Sequence, residues 1–315
     1  NGHKFEIVTE LIDINYDGIY EILAANQNSH NTGNGTYPDQ IPPRIHSFLL
    51  NGNMNFEDFI NEPRGSHDFA TGDVDNDGNA DVTISGDVNA DDVTTVDASG
   101  NVITNAKNNT NTSDNTSLFR VSGSDNLVLE GLVLTGGYAT GNGGAIYASN
   151  GSTVTINNSS VSGNESTSRG GGFFGGNVNI SNSEFSNNVT DTSGAALQAS
   201  RVLDITNSLF SNNENGRSDS IIETSLDATI QNTTVSDNSG TAITNRNDLV
   251  LTNSTIANNI SSETAGIYSN NGTATLTNVT IAGNHSTGGG AYTGGLRIGA
   301  NNNSTIKLTN SIIAG

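Results

Sequence analysis

The chain has 315 residues, of which 32 are acidic and 11 basic, and its formal net charge is −21. A chain this negative lacks the basic stripe that binds phosphate backbones or anionic lipid, which argues against a nucleic-acid-binding or membrane-docking protein. It has no cysteine, which excludes disulfides and thiolate metal sites, and no apolar run near the ~18 residues of a membrane span.

Composition divides the chain between residues 70 and 100. Residues 1–100 hold 18 of the 32 acids and all four prolines. The remainder is low in charge and dense in asparagine, serine, threonine and glycine, in a periodic order that argues against disorder. We therefore predict an acidic segment over residues 1–81 and a repeat domain over residues 82–315.

Two acidic loops in the first segment lie 60 residues apart and match position for position. Residues 13–21 read Asp-Ile-Asn-Tyr-Asp-Gly-Ile-Tyr-Glu, and residues 73–81 read Asp-Val-Asp-Asn-Asp-Gly-Asn-Ala-Asp. Alternate oxygen-bearing side chains point at one centre, the glycine permits a sharp turn, and the carbonyl after it can add an oxygen. Hard oxygen ligands of this kind suit Ca²⁺. The predicted calcium ligands are Asp13, Asn15, Asp17, Ile19 and Glu21 in the first loop, and Asp73, Asp75, Asp77, Asn79 and Asp81 in the second.

These loops resemble the FG-GAP or VCBS-type repeat, a calcium-loop blade of β-propellers with a period near 60 residues. An EF-hand would need a bidentate Glu where this chain has Ala24 and Ile84, so a helical EF-hand or dockerin-like pair is not expected. A lone blade cannot close a propeller. Either further blades precede it in a longer parent protein, or the segment caps the repeat domain. Two solvated acidic turns without metal are the alternative interpretation.

In the second part, one phrase recurs about every 25 residues. It consists of a short alternating strand, an asparagine, two small residues, an apolar residue, a small residue and a second asparagine. The leading asparagines are Asn158, Asn182, Asn207, Asn232, Asn253, Asn278 and Asn310, and residues 131–137 form a degenerate earlier copy. A glycine-rich phrase, such as Gly143-Gly144-Ala145-Ile146, falls between successive copies.

This unit fits one rung of a parallel β-solenoid. Period-two alternation indicates strands, and no capped helical stretch occurs in this part. Three short strands and three turns consume about 25 residues, and equivalent residues then stack about 4.8 Å apart. We predict inward ladders of Ile, Val, Leu and Phe, an amide ladder of asparagines, and Asn or Gly at left-handed turn positions.

The glycine-rich phrase, together with Phe185-x-x-Asn188 and Phe210-x-x-Asn213, resembles the paired motifs of bacterial polymorphic outer-membrane proteins and related surface-adhesin repeats. The resemblance covers about residues 82–315. It implies an all-β, right-handed parallel β-helix of about seven to nine rungs, secreted or displayed on a bacterial cell surface. Glycans or other cell-surface proteins are the implied partners.

No catalytic set can be recognised in the repeats. Their acids and bases fall in different phrases of the unit and are interpreted as solvated surface, and the five histidines lack metal spacing. The predicted function is a non-catalytic, calcium-binding extracellular rod for structure or adhesion, able to self-assemble through its ends. One alternative is a polysaccharide lyase or glycoside hydrolase, which would need Arg, Lys and carboxylate groups in one groove. The other alternative is a calcium-dependent glycan-binding module.

Overall fold

The computed structural model describes residues 117–217, 219–289, 292–299 and 304–314, together with six short strands before residue 117. The chain divides into two compact units, Asn1–Gly65 and Ser66–Gly315. Within the described residues the regular structure is β-strand, which confirms the all-β prediction. No helix in this part of the chain is long and apolar enough to cross a membrane.

The strands before residue 117 form three antiparallel pairs. They are β1 (Leu11–Ile12), β2 (Glu21–Ile22), β3 (Phe69–Gly72), β4 (Asp81–Ser85), β5 (Thr94–Val96) and β6 (Val102–Thr104). Strand β1 pairs with β2, β3 with β4, and β5 with β6. Residues 13–20 connect the first pair and residues 73–80 the second, so both acidic loops run between antiparallel strands at matching positions.

From residue 117 the chain winds into a parallel β-solenoid of about seven turns, which confirms the predicted architecture. Its strands are β7 (Phe119–Val121), β8 (Asn126–Glu130), β9 (Leu132–Thr135), β10 (Tyr138–Ala139), β11 (Ile146–Asn157), β12 (Ser160–Ser162), β13 (Glu165–Ser166), β14 (Phe173–Ser181), β15 (Glu184–Ser186), β16 (Val189–Thr190), β17 (Leu197–Ala199), β18 (Leu203–Thr206), β19 (Leu209–Ser211), β20 (Glu214–Asn215), β21 (Ser220–Thr224), β22 (Ala228–Gln231), β23 (Thr234–Ser236), β24 (Thr241–Asn245), β25 (Leu249–Thr252), β26 (Thr255–Ala257), β27 (Ile260–Ser261), β28 (Ile267–Ser269), β29 (Thr273–Thr277), β30 (Thr280–Ala282), β31 (His285–Ser286), β32 (Leu296–Ile298), β33 (Thr305–Thr309) and β34 (Ile312–Ala314). Each pairs with its equivalent one rung away.

Each turn crosses three faces of the solenoid. The first face is a 14-stranded sheet that contains β7, β8, β11, β14, β17, β18, β21, β22, β24, β25, β28, β29, β32 and β33. The second face is a 10-stranded sheet that contains β3, β4, β9, β12, β15, β19, β23, β26, β30 and β34. The third face holds the short strands β10, β13, β16, β20, β27 and β31, and two bridges at Ser239, to Glu214 and to Ile260, join β20 to β27. Strand β4 lies parallel to β9, so the strand that follows the second acidic loop belongs to the solenoid's second sheet.

Inward-facing apolar side chains form columns along the axis. One buried column runs along the second sheet through Leu134, Val161, Phe185, Phe210, Val235, Ile256 and Ile281. The rings of Phe185 and Phe210 stack with their centroids 5.1 Å apart and their planes 16° from parallel. Strand pairing places these residues directly opposite one another in successive rungs, which confirms the predicted apolar ladders.

Exposed asparagines turn the chain between the first and second sheets. Each leading asparagine has a positive φ, from 46° at Asn158 to 55° at Asn278, and Gly131 takes this position in the first rung with φ of 62°. Asparagine adopts this left-handed conformation more readily than other residues with a Cβ. Hydrogen bonds of 2.7 to 3.3 Å between side-chain amides form an exposed asparagine column, which consists of Asn182, Asn207, Asn232, Asn253, Asn278 and Asn310.

A buried asparagine column lies six positions further along each rung. Its members are Asn164, Asn188, Asn213, Asn238, Asn259 and Asn284, each no more than 5% exposed. The Nδ2 group of Asn213 donates to Oδ1 of Asn238 at 3.0 Å and to the Phe185 carbonyl at 2.9 Å. Its Oδ1 accepts from the backbone and side-chain N–H groups of Asn188, both at 3.0 Å. Because these buried amides are saturated, the predicted asparagine ladder is confirmed as a structural device.

Candidate functional site: the outer column

The first strand of each rung in the first sheet presents one side chain on the outside of the solenoid. Its neighbours along the strand face the core, because successive side chains of a strand point to opposite faces. Register places these outward residues in one row, here called the outer column. It comprises Arg120, Tyr147, Phe174, Gln198, Glu223, Thr244, Tyr268 and Arg297.

The first rungs of the outer column carry an arginine and two aromatic rings. The guanidinium of Arg120 lies 4.5 Å from the centroid of the Tyr147 ring. Tyr147 in turn stacks on Phe174 with centroids 5.7 Å apart and an interplanar angle of 25°. Arg120 is exposed and both rings are half-buried, so this end of the column is an aromatic surface with a cationic edge.

The middle of the column is polar and buried. Gln198, Glu223 and Thr244 are 3 to 5% exposed. Arg246, the first residue after β24, donates from Nε to Oε1 of Glu223 at 2.7 Å, and its side chain is 43% exposed. The Oε1 atom of Gln198 is buried without a hydrogen-bond partner. The centre of the column is thus an ion pair with one buried and one partly solvated member.

The charge state of Arg246 is set by its surroundings. Burial by itself would lower its pKa, but the charge and hydrogen bond of Glu223, with smaller contributions from Asp219 and Tyr268, raise the pKa above the ordinary value for arginine. Because the folded-state pKa of Arg246 is the higher one, the raised pKa corresponds to a stabilising contribution that is present below arginine's ordinary pKa. That contribution is lost as the pH rises through the raised value.

The last rungs hold a second arginine among aromatic rings. The guanidinium of Arg297 lies 4.8 Å from the ring centroid of Tyr268 and 5.0 Å from that of Tyr292. The Tyr268 hydroxyl donates to Oδ1 of Asn270 at 3.0 Å. Within the described residues, Arg297 has no carboxylate partner. This end of the column therefore carries a positioned guanidinium whose charge is not neutralised by a neighbouring side chain.

Rung length varies only beside the outer column. The exposed and buried asparagines of a rung are always six positions apart. By contrast, the connection that precedes the outer column spans five positions from Asn238 to Ile243 and twelve from Asn284 to Leu296. The connection that follows the outer column, counted from the same apolar residue to the next exposed asparagine, spans nine positions from Phe173 to Asn182 and fourteen from Leu296 to Asn310. In solenoid proteins, insertions confined to one face commonly mark the binding face.

Most of the predicted calcium ligands lie outside the described residues. These are Asp13, Asn15, Asp17, Ile19, Asp73, Asp75, Asp77 and Asn79. Glu21 and Asp81 begin β2 and β4, and only their backbone positions are described. Elsewhere in the described part of the chain, no three His, Asp or Glu side chains come together as a metal-binding group. Calcium binding stays a prediction.

The interpretation of the repeat's charges as solvated surface is incomplete. Arg246 is bound to Glu223, while Asp227 and Asp248 accept backbone N–H bonds from the next rung at 3.4 and 2.7 Å. Sequence patterns alone did not identify the outer column, because its residue types differ from rung to rung. The usable signal was its position, one residue after the apolar residue of each glycine-rich phrase, where Tyr, Phe and Arg recur.

No protein family, curated protein or solved structure matches the chain. The resemblances to surface-adhesin repeats and to FG-GAP or VCBS repeats therefore depend on their motifs alone. Function has to be argued from the solenoid and its outer column.

Proposed function

We propose that this protein is a non-catalytic structural and adhesion rod that works outside the cell, on a bacterial surface. The observation that carries the proposal is the continuous pair of asparagine columns, which joins every described rung from the second onward to its neighbours through side chains as well as backbone. Bending would stretch these bonds on one side, so the ladders favour a stiff body. Seven rung steps separate β7 from β32, which corresponds to about 34 Å.

The rod is a right-handed β-helix in this proposal. Crossover connections between parallel strands in one sheet are right-handed in roughly 98% of cases. The adhesin-like motifs support the same hand and the surface location. Self-assembly through the ends of the β-helix stays a prediction, and analytical ultracentrifugation with and without Ca²⁺ would test it.

The adhesive partners in this proposal are glycans or other cell-surface proteins. Support comes from the outer column, where half-buried aromatic rings, arginines and connections of variable length occur together. Retention of the purified protein on a glycan array and on whole cells would test this role. We expect retention without chemical change of the glycan. A folded protein that no glycan or cell surface retains would contradict the adhesive role.

Calcium binding at the two acidic loops is part of the proposal. The ligands would be Asp13, Asn15, Asp17, Ile19 and Glu21 in one loop, and Asp73, Asp75, Asp77, Asn79 and Asp81 in the other. The donor set is all oxygen, and both loops connect antiparallel strands at matching positions. A bound Ca²⁺ would offset the repulsion among the loop carboxylates.

Calorimetric titration with Ca²⁺ tests the two loops. The combined Asp13→Ala and Asp73→Ala substitutions should abolish binding, because each removes the first ligand of its loop. Asp204→Ala, which removes an exposed acid of the solenoid, is the matched control and should leave binding unchanged. No binding by the unmodified protein, or undiminished binding by the double variant, would refute the assignment.

A second candidate function is cleavage of acidic polysaccharide by a β-helix lyase or hydrolase. The observation that favours it is the association of Glu223, Arg246 and Asp219 at the centre of the outer column. Incubation with polyuronates, followed by measurement of unsaturated uronate and of new reducing ends, would test it. Product release that disappears in Glu223→Gln would establish the enzyme and overturn the non-catalytic proposal.

A further inference from the structure

We propose that Arg297, which lies over the rings of Tyr268 and Tyr292, binds the carboxylate of an acidic sugar such as a uronic acid. This inference rests on the adhesive role proposed above and names the ligand class for it. The ligand is a glycan of low charge density, in which an acidic sugar that carries one carboxylate is linked to neutral sugars.

The geometry of Arg297 suits a carboxylate. Ring centroids at 4.8 and 5.0 Å restrict the planar guanidinium, which stacks on aromatic faces while its N–H groups remain at the edge. Such a fork matches the two oxygens of a carboxylate in a bidentate arrangement. In the part of the chain that the structure describes, no Asp or Glu occupies this fork. The ordering of the arginine side chain is therefore largely complete before a ligand arrives.

Local charge favours one anionic group at this end of the solenoid. The sequence after Glu263 contains no Asp or Glu, whereas it contains Arg297 and Lys307. Arg246, one rung before Tyr268, is already paired with Glu223. The net charge of −21 would still repel a dense polyanion as it approached. A single carboxylate among neutral sugars satisfies both conditions, and a polyuronate or a nucleic acid does not.

The surroundings of Arg297 suit a sugar ring. Tyr292 is 38% exposed, so apolar ring surface remains for the C–H groups of a pyranose. Asn270 uses Oδ1 to accept the Tyr268 hydroxyl, which leaves its Nδ2 group as a donor for a sugar hydroxyl. The longest connections on both sides of the outer column, from Asn284 and toward Asn310, belong to this end.

Arg120 provides an internal comparison. It also lies over a tyrosine ring, 4.5 Å from the centroid of Tyr147. Among the described residues, however, it lies over one ring rather than two, and Asp125 and Glu130 follow it within the same rung. The same arginine chemistry therefore occurs there in a less restricted and more acidic setting. Arg201→Ala, which removes an exposed arginine that is not part of the outer column, is the matched control for loss of one arginine.

The test is calorimetric titration of the full chain, in EDTA, with two trisaccharides that differ only in whether they end in glucuronic acid or glucose. We expect the acidic trisaccharide to bind at least about tenfold more tightly, because a charge-assisted bidentate pair forms. Arg297→Ala should reduce its affinity to that of the neutral one. Arg297→Lys should recover part of the difference, since lysine keeps the charge without the planar fork. Arg201→Ala should change affinity less than about twofold.

Several results would overturn the inference. These are equal affinity for the two trisaccharides, unchanged affinity in Arg297→Ala, and an equal loss in Arg201→Ala. If Arg297→Ala lowers the melting temperature, Tyr292→Ala decides instead, because it removes one stacked ring while the charge stays. Unchanged Arg297→Ala affinity in a protein that cells or glycans still retain would refute this site alone. A protein that no surface retains would refute the adhesive role as well.

Discussion

The asparagine side and the outer-column side of each rung differ in how regular their spacing and residue types are. On the asparagine side, the distance between exposed and buried asparagines is six positions in every rung, and both columns repeat one residue type. On the outer-column side, connections range from five to fourteen positions, and the column changes from aromatic to ionic and back to aromatic. The repetitive side sets the register of the solenoid, which leaves the variable side available for recognition.

The hydrogen bonds of the buried amides explain why the asparagine side repeats one residue type at one spacing. A buried amide inside the column is satisfied by asparagines at the same height in the rungs on both sides, as for Asn188, Asn213 and Asn238. Outer-column residues depend less on their neighbours, because most are partly exposed and can be satisfied by water. Substitutions should therefore affect stability on one side and binding on the other.

The largest expected effect is on the buried column. Asn213→Leu keeps the number and branching of the side-chain heavy atoms but leaves the Asn188 backbone N–H and the Phe185 carbonyl buried without their partner. Each such group costs about 1–3 kcal/mol, so we expect the free energy of unfolding to fall by about 2–6 kcal/mol. Urea denaturation measures it. A loss below about 1 kcal/mol would mean that the asparagine ladder contributes little to the stability of the fold.

The next largest effect on stability is expected at the centre of the outer column, where the side chains are as buried as those of the buried asparagine column. Arg246→Ala leaves the 4%-exposed carboxylate of Glu223 without its partner. We expect about 3 kcal/mol of destabilisation, at the low end for a broken buried pair because Arg246 is 43% exposed. Glu223→Gln should cost less, since water can solvate the remaining guanidinium. Thermal denaturation of both variants tests the order, and a larger loss in Glu223→Gln would contradict it.

The exposed asparagine column should show a smaller effect that depends on backbone conformation. Asn207 has φ of 51°, and alanine in this left-handed region costs about 1–2 kcal/mol. Glycine adopts it without that cost, so Asn207→Ala should lower the free energy of unfolding by about 1 kcal/mol more than Asn207→Gly. Equal losses would show that the side-chain hydrogen bonds of Asn207, rather than its left-handed backbone, are its main contribution to stability.

The smallest effect on stability is expected at Arg297. Its substitution by alanine removes a partly exposed side chain with no ion pair in the described structure, and such changes usually stay within about 0.5 kcal/mol. The melting curve should therefore be nearly unchanged while binding of the acidic trisaccharide is lost. A strong loss of stability would place Arg297 with the structural residues.

The repeat could be predicted from sequence because it depends on local chemistry. Asparagine or glycine marks the left-handed turns, as Gly131 and Asn158 do, and alternation marks the strands. The Glu223–Arg246 pair could not be predicted, because the two residues lie 23 positions apart and occupy different phrases of the unit. Only the register of β21 against β24, in a rung four residues shorter than its neighbour, brings them together. The contact of Tyr292 with Arg297 likewise depends on the path of a long connection.

The most direct test of the separation between the two sides is amide hydrogen exchange with and without the glucuronate-ended trisaccharide. Binding at the variable side predicts added protection in β28, β32 and the residues near Tyr292. It predicts no change along the asparagine columns at Asn213 and Asn238. Protection that centres on the asparagine side, or that is absent from both sides at saturating ligand, would contradict the account.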